Sequence, residues 1–545
     1  MKAYFKMRNI VLFFMCIISL NTLSSCNDVE RRIFYIDNQN GDDSNNGRSS
    51  GQPFKTLEKA GKIELKAGDW LLFKAGQTFS GTLLLNSILG NKDKPIIIST
   101  YGKGRAVINA RDSSALKISH STFITVKNLE CKGSGRLNGN ASDGFDFIDN
   151  TNLIIDSVEA TGFLFSGIRI KGGRNIRITN AFAHDNGFCG IHVTSDKTGK
   201  DDSKEKSIRN IYIGYCVTDN NPGCPAITDN HSGNGILIGG VTNGIIEYCE
   251  SMRNGWDMPR KGNGPVGIWA YQSDSITIQH CYAHHNATSP EGKDGGGFDF
   301  DGGMTNSVMQ YNLSAFNEGP GYGIFQYADA QEWYNNVVRY NISYHDGIKN
   351  GQCGILMWCD PAAIPMKDFH AYNNTIVNKF GYGINFLPGH YENFVFENNI
   401  LSLTGTANKF VGGEFTGALF NNNLYWSEKP ADKTFPPFKH FIDSSLVLLD
   451  PMIEMPDNET IEVKSINEVN SIPWFRLKKN SPALNSGKKI ASPGEFDYWG
   501  NTLLDFENPS IGAYSLTHNY AMPGKELIKI AGKILYKKLP GRICT

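Results

Sequence analysis

The residues best suited to chemistry lie between Asp294 and Asp301. Asp299 and Asp301 are two apart in Gly297-Phe298-Asp299-Phe300-Asp301. On an extended strand such positions project to one face, with Cα atoms ~6.6–6.8 Å apart. Two carboxylates that close, in a partly dry groove, push their pKa values apart and leave one protonated acid beside one ionised partner. Cleavage of a glycosidic bond requires such a pair, and the spacing brackets both retaining and inverting geometries. Glu291 and Asp294 precede this strand, and Glu318 follows the next Asn turn. Any of the three can stand in for one member of the pair. The same acids also suit a calcium site or a solvated strand edge.

An acidic pair on one face needs an element that repeats. Short alternating strands start near Ser121, Asn152, Asn175, Asn210, Asn243, Ser275, Asn306 and Asn335, at intervals of 31, 23, 35, 33, 32, 31 and 29 residues. Each unit is too small to bury its own apolar face, so the units must stack. Asn186, Asn221, Asn254, Asn286 and Asn317 each fall eleven residues after their anchor. Cys216, Cys249, Cys281, Asn312 and Asn341 each fall six after theirs. Like residues stacked on like residues are what a coil of parallel strands produces, with amides bonding between coils.

Within each unit a Gly leads a strand whose first and third following residues are mostly apolar. These two positions point inward, and the second and fourth point outward. The second-position column then reads Asp146, Arg169, His192, Leu237, Trp269, Asp299, Phe325, Leu356 and Asn385. The fourth reads Ile148, Lys171, Thr194, Gly239, Tyr271, Asp301, Tyr327, Trp358 and Leu387. The outward rings of Trp269, Tyr271, Phe325, Tyr327 and Trp358 beside two acids suit a sugar, whose apolar face stacks on an aromatic ring. The alternative is packing beneath the loops 195–208, 220–234, 255–264 and 286–296, which either wall the groove or cover it. Arg169, Lys171 and His192 form a basic end ~14–19 Å from Asp299, which suits an acidic sugar or sulfate in a distal subsite, or a solvated polar face. His284, His285 and His345 lie near the Asn turns, off this face, and read as structural.

Phe34-Tyr35-Ile36-Asp37 with Asn40-Gly41-Asp42-Asp43, followed by Pro53-Phe54-Lys55-Thr56-Leu57, resembles the entry of pectate-lyase-like right-handed parallel β-helix proteins. Ser481-Pro482-Ala483-Leu484 and Ile511-Gly512-Ala513-Tyr514 resemble their exit. The resemblance spans residues 33–515 and implies an all-β solenoid with an N-terminal cap and less regular C-terminal coils. The expected division is a cap with first coils at 33–110, a helix body at 111–426, last coils and exit at 427–515, and a tail at 516–545. The tail carries a basic amphipathic stretch, Lys525 to Ala531, read as a capping helix or a membrane contact. The superfamily includes lyases, hydrolases and non-enzymatic proteins, so the fold alone does not assign a reaction.

The first 26 residues read as an export signal. A basic start leads to an apolar run, Ile10 to Leu20, and then to Leu23-Ser24-Ser25-Cys26. This order resembles a bacterial lipobox, in which Cys26 is lipidated. It implies a protein tethered in the cell envelope at the outer membrane, on the periplasmic or surface side, touching the membrane only through that lipid. Lys+Arg is 53 and Asp+Glu is 54, for a net charge of -1 over 545 residues. Such a balance argues against an electrostatic nucleic-acid binder. Of 11 cysteines, nine remain beyond Cys26, and they read as buried free thiols rather than a disulfide framework or a metal site.

The expected function is cleavage of glycosidic bonds in a poly- or oligosaccharide by an Asp pair, with no cofactor required. The Gly297 to Asp301 strand resembles the catalytic strand of polygalacturonase-like hydrolases, but the following coil lacks their paired Asp and their Gly-His-Gly. A calcium-dependent polysaccharide lyase, with Lys293 as base beside Asp294, Asp299 and Asp301, is the alternative. A non-catalytic surface glycan-binding protein is the third reading.

Overall fold

The computed structural model describes residues 31–195, 208–349, 353–407, 409–413, 416–429, 443, 447–503 and 508–515. The export segment with Cys26, most of the 195–208 loop and the tail at 516–545 lie outside the described residues.

The chain is a right-handed parallel β-helix. Every ladder between named strands is parallel, in one 24-stranded and one 13-stranded sheet. The larger sheet serves two walls, because some strands bend around a corner. Phe145–Asp156 pairs through Phe145–Ile148 with Leu116–Ser119, and through Leu153–Asp156 with Ile124–Lys127. The entry strand Ile33–Ile36 pairs in parallel with Trp70–Lys74, so the cap joins the same sheet. Inward Ile, Val, Phe and Leu form one apolar core running from Phe34 to Tyr425.

The corners explain the Asn columns. The strand anchors Asn152, Asn175, Asn210, Asn243, Ser275, Asn306 and Asn335 all have φ between 51° and 65°. Asn tolerates this left-handed region better than most residues. The inner columns work differently. Asn186, Asn221, Asn254 and Asn286 each donate to the next amide of the column, ending at Asn317, at 2.9–3.1 Å, while the residue before each of the five carries the left-handed φ. His285 and His345 occupy such preceding positions, which accounts for them as turn residues. Each buried amide supplies the backbone partners that the corner leaves open.

Both amide ladders end on an aspartate. Asn317 donates to Asp346 at 2.8 Å. The second column runs on from Asn312 and Asn341 through Asn374, Asn399 and Asn423 to Asp443, at 2.9–3.1 Å. Each Asn donates forward, so the last member needs acceptors only, which a carboxylate provides. The eight cysteines among the described residues are free and buried.

The last ladder strand is Leu424–Ser427. Beyond it the chain returns along the 13-stranded wall. Phe475, Tyr498, Trp499 and Ile511 pack with Tyr282, Leu313, Ile342 and Tyr344 in a second apolar cluster. The exit motif docks there, with Ile511 N–H donating to Ala483 O at 2.8 Å and Gly512 N–H to Asn398 O at 2.7 Å.

Candidate active site

Six consecutive strands of one wall carry the site: β1 (Asn234–Gly239), β2 (Val266–Tyr271), β3 (Gly296–Phe300), β4 (Tyr322–Gln326), β5 (Cys353–Cys359) and β6 (Tyr382–Phe386). Phe298 and Phe300 are fully buried in the core. Alternation therefore turns Asp299 outward, and it lines a cavity of about 440 Å³. That volume falls within the range of small-molecule sites. Asp294, Asp301, Trp269, Phe325 and Trp358 line the same cavity.

The column register differs from the sequence expectation at one coil. Phe298 stands opposite Tyr322 and Asp299 opposite Gly323, so Gly321, not Gly323, leads β4. Phe325 therefore moves to the fourth-position column, opposite Trp358. Tyr327 falls beyond the strand, where its hydroxyl accepts from Gln272 Nε2 at 3.0 Å. The slip has a physical consequence. A Cβ on Gly323 would sit 2.7 Å from the Phe325 ring and 3.1 Å from Asp299 Cγ. Glycine there lets the ring lie against the acid.

Two apolar clusters flank the acids. Trp269 packs with Cys189, Leu237 and Val266 on one side. Phe325 and Leu356 pack with Trp358 on the other. Trp269 is only 4% exposed and its Nε1 donates to Asn234 Oδ1 at 3.0 Å. It is a buried wall element, not the open stacking platform that its column implied. Tyr271 tilts against it at 5.6 Å and covers Gly239. Neither Tyr271 nor Tyr327 is among the lining residues.

The loops wall the cavity. His231 comes from 220–234, Asn263 and Gly264 from 255–264, and Glu291, Lys293 and Asp294 from 286–296. Asp294 Oδ2 accepts from Gly264 N–H at 2.7 Å, which ties two of these loops together. Glu291 pairs with Lys261 at the rim. Glu318 is not among the lining residues. Its carboxylate accepts from Thr288 N–H at 3.0 Å and faces Lys349 at 3.8 Å, so it holds the 286–296 loop.

The three aspartates share an unusual electrostatic setting. Among the described residues none of them has a cation within ion-pair distance. Asp299 is 3% exposed and its Oδ1 has no hydrogen-bond partner. Burial first, then Asp301 and Asp294, push it well above the usual carboxylate range, so it holds a proton. Burial and Asp294 raise Asp301 to about 7 against one backbone donor, Gly302 N–H at 2.7 Å. Burial raises Asp294 to about 6, opposed by Gly264 N–H and the charges of Lys293 and Arg260. One protonated carboxyl and two that ionise near neutral pH thus face one cavity.

The basic end is built otherwise. Arg169 donates to Asp146 Oδ1 at 2.8 and 3.0 Å and lies 3.1 Å from Asp143. Burial lowers His192 to about 3, so it is neutral, and its ring faces Phe188 at 5.1 Å. Lys171 is half-buried on the same column, opposite Thr194. None of these three lines the cavity. The Arg169 charge is met by Asp143 and Asp146, and burial keeps His192 uncharged. Among the described residues, no three His, Cys, Asp or Glu side chains converge as a metal site. His231 is a lining residue that the sequence columns missed, as are Asn263, Gly264 and Val266. His231 lies in a loop, where strand alternation carries no information.

No family model matches the chain. A lacto-N-biosidase of Bifidobacterium longum subsp. longum is 26% identical over 463 residues, covering 63% of this chain and 27% of that protein. The chain thus spans about a quarter of that relative's length. The crystal structure of the GH136 lacto-N-biosidase from Eubacterium ramulus superposes with a TM-score of 0.50 at 17% identity, covering 72% of this chain and 67% of the other. Pectate lyase Pel9A superposes with a TM-score of 0.43 at 16% identity, covering 89% and 96%. The superposition on the Eubacterium ramulus enzyme agrees with the parallel β-helix fold.

Proposed function

We propose that the chain is a glycoside hydrolase that acts on lacto-N-biosides, as the names of its relatives indicate for those proteins. The observation that carries this reading is the trio of carboxyls in a walled cavity, none with an ion-pair partner among the described residues. Desolvating such groups is expensive and does not stabilise a fold, so the arrangement points to chemistry. A purely binding surface has no need of it.

Asp301 projects from the strand floor and Asp294 from the loop wall. We assign these two as the reacting pair. The carboxyl that holds its proton longer, Asp301, donates to the leaving-group oxygen as the glycosidic bond breaks. The ionised Asp294 acts on the sugar carbon, directly or through a water. Asp299, protonated beneath them, keeps a second negative charge out of the floor. Phe325 and Trp358 supply an apolar wall for the sugar ring.

Product analysis tests the reading. Incubation with an aryl lacto-N-bioside should release the free phenol and lacto-N-biose. An unsaturated product with ultraviolet absorbance from an acidic polysaccharide would instead favour the lyase, for which Lys293 in the cavity wall is the supporting observation. Binding without any product would favour the glycan-binding protein.

We also propose that the mature chain is lipid-anchored at Cys26 in the cell envelope. Cys26→Ala should move the protein from the membrane fraction to the soluble fraction.

A further inference from the structure

His231 enters the cavity wall with a ring orientation that its neighbours dictate. Its ring stands edge-on to Trp269 at 5.0 Å and 71°, and stacks on Phe188 at 5.8 Å and 30°. Asn234, fully buried at the start of β1, joins these groups. Trp269 Nε1 donates to Asn234 Oδ1 at 3.0 Å, and Val266 N–H donates to the same oxygen at 3.3 Å. An indole N–H is a donor only, so the oxygen of the Asn234 amide must face it. The amide nitrogen then faces the other way. It donates to Phe188 O at 3.2 Å and lies 3.1 Å from His231 Nδ1.

A donor at Nδ1 requires Nδ1 to accept. In a neutral imidazole the ring proton then sits on Nε2. Burial and the nearby Arg260 lower His231 to about 4, so the ring is neutral at physiological pH. The chain Trp269, Asn234, His231 thus fixes a tautomer. It leaves an uncharged N–H on the free edge of a ring that lines the cavity.

We propose that His231 Nε2–H recognises an uncharged oxygen, a hydroxyl or an amide carbonyl, on the sugar ring farther from the scissile bond. Trp269 and Asn234 act as positioning residues through it. β1 lies two strand spacings from β3, or ~10 Å, which suits the far ring of a disaccharide held over Asp301. A neutral donor favours an uncharged sugar, consistent with the spent charges of Arg169 and His192. The choice of ligand rests on the hydrolase reading above, whereas the tautomer does not.

Two measurements test it. With an aryl lacto-N-bioside, His231→Phe keeps a ring but removes the donor. It should raise KM ~10-fold and leave kcat within ~3-fold. His231→Gln restores an N–H donor and should recover most of the loss. Independently, ¹⁵N NMR of histidine-labelled protein, with the His231 signal assigned by H231Q, should show the Nε2–H tautomer at neutral pH. Asn234→Asp, which cannot donate, should abolish that tautomer. Wild-type turnover with an unchanged KM in His231→Phe would overturn the sugar contact alone. An Nδ1–H or doubly protonated ring in the wild type would overturn the relay. Wild type that leaves the substrate intact would overturn the hydrolase reading and the ligand together, while the NMR result stands by itself.

Discussion

Two stretches of the same wall bury aspartates in opposite ways. At Asp143 and Asp146 the acids meet cations: Arg169 bridges both, and Lys117 lies 3.4 Å from Asp146. At Asp294, Asp299 and Asp301 the acids meet backbone amides, one another and the cavity. The first arrangement offsets part of its desolvation by pairing, although burial still raises Asp143 against the Arg169 charge. The second has no ion pair among the described residues, and Asp294 and Asp301, the proposed reacting pair, are raised to about 6 and about 7. On the proposed reading, the contrast separates acids that hold a wall from acids that work on a ligand, although Asp146 and Asp299 share one outward column.

The largest effect should come from breaking the unpaired side. Asp301→Asn and Asp294→Asn should each lower kcat by ~10³-fold or more while circular dichroism and melting show a folded protein. Asp146→Asn, on the paired side, should leave kcat within ~2-fold but lower stability by ~1–3 kcal/mol in denaturant titration. Equal kinetic losses at both places would erase the distinction.

Next comes the close approach at β4. Gly323→Ala places a methyl against the Phe325 ring and the Asp299 carboxyl, and should lower kcat/KM by ~10-fold with little change in fold. Trp358→Ala should raise KM by a comparable ~5–10-fold. Tyr327→Ala should do less, because that ring lies off the lining.

The smallest effect is on stability, and its sign is diagnostic. A carboxyl whose folded pKa is raised binds its proton more tightly in the native state. Stability is then greatest below the unfolded pKa and falls as pH rises through the folded value. For Asp294 and Asp301 that fall ends at about 6 and about 7. Asp294→Asn should therefore melt on the order of 1–2 °C higher than the wild type at pH 8, and lose this advantage at pH 4. Asp146→Asn should melt lower at pH 8.

Much of this was legible in the residues. The columns of Asn eleven residues past five successive anchors, and of Cys then Asn six past five, reported the stacking, because like residues bonded to their own kind recur at one place in successive coils. The outward turn of Asp299 followed from the inward demand of Phe298 and Phe300. The β4 register did not follow, because Gly321-Tyr322-Gly323-Ile324 offers two glycines as strand leaders. The buried Tyr322, whose hydroxyl donates to Asn312 O and Ile342 O at 2.9 Å, takes the core position. Loop contributions were only partly visible. Asp294 was a candidate by proximity in the chain, but its bond to Gly264 N–H and the placing of His231 depend on how loops from neighbouring coils meet. The fate of Arg169 was likewise hidden, since its partners Asp143 and Asp146 come from the preceding coil.

The most direct test is the pH dependence of kcat/KM for an aryl lacto-N-bioside. The reacting pair should give a bell whose acid limb falls near 6, as the ionised carboxyl takes up a proton, and whose alkaline limb falls near 7, as the acid loses one. Asn at position 294 or 301 should abolish the bell with the activity. A profile flat across this range in an active wild type would contradict the assignment of Asp294 and Asp301 as the carboxyls that cleave the bond.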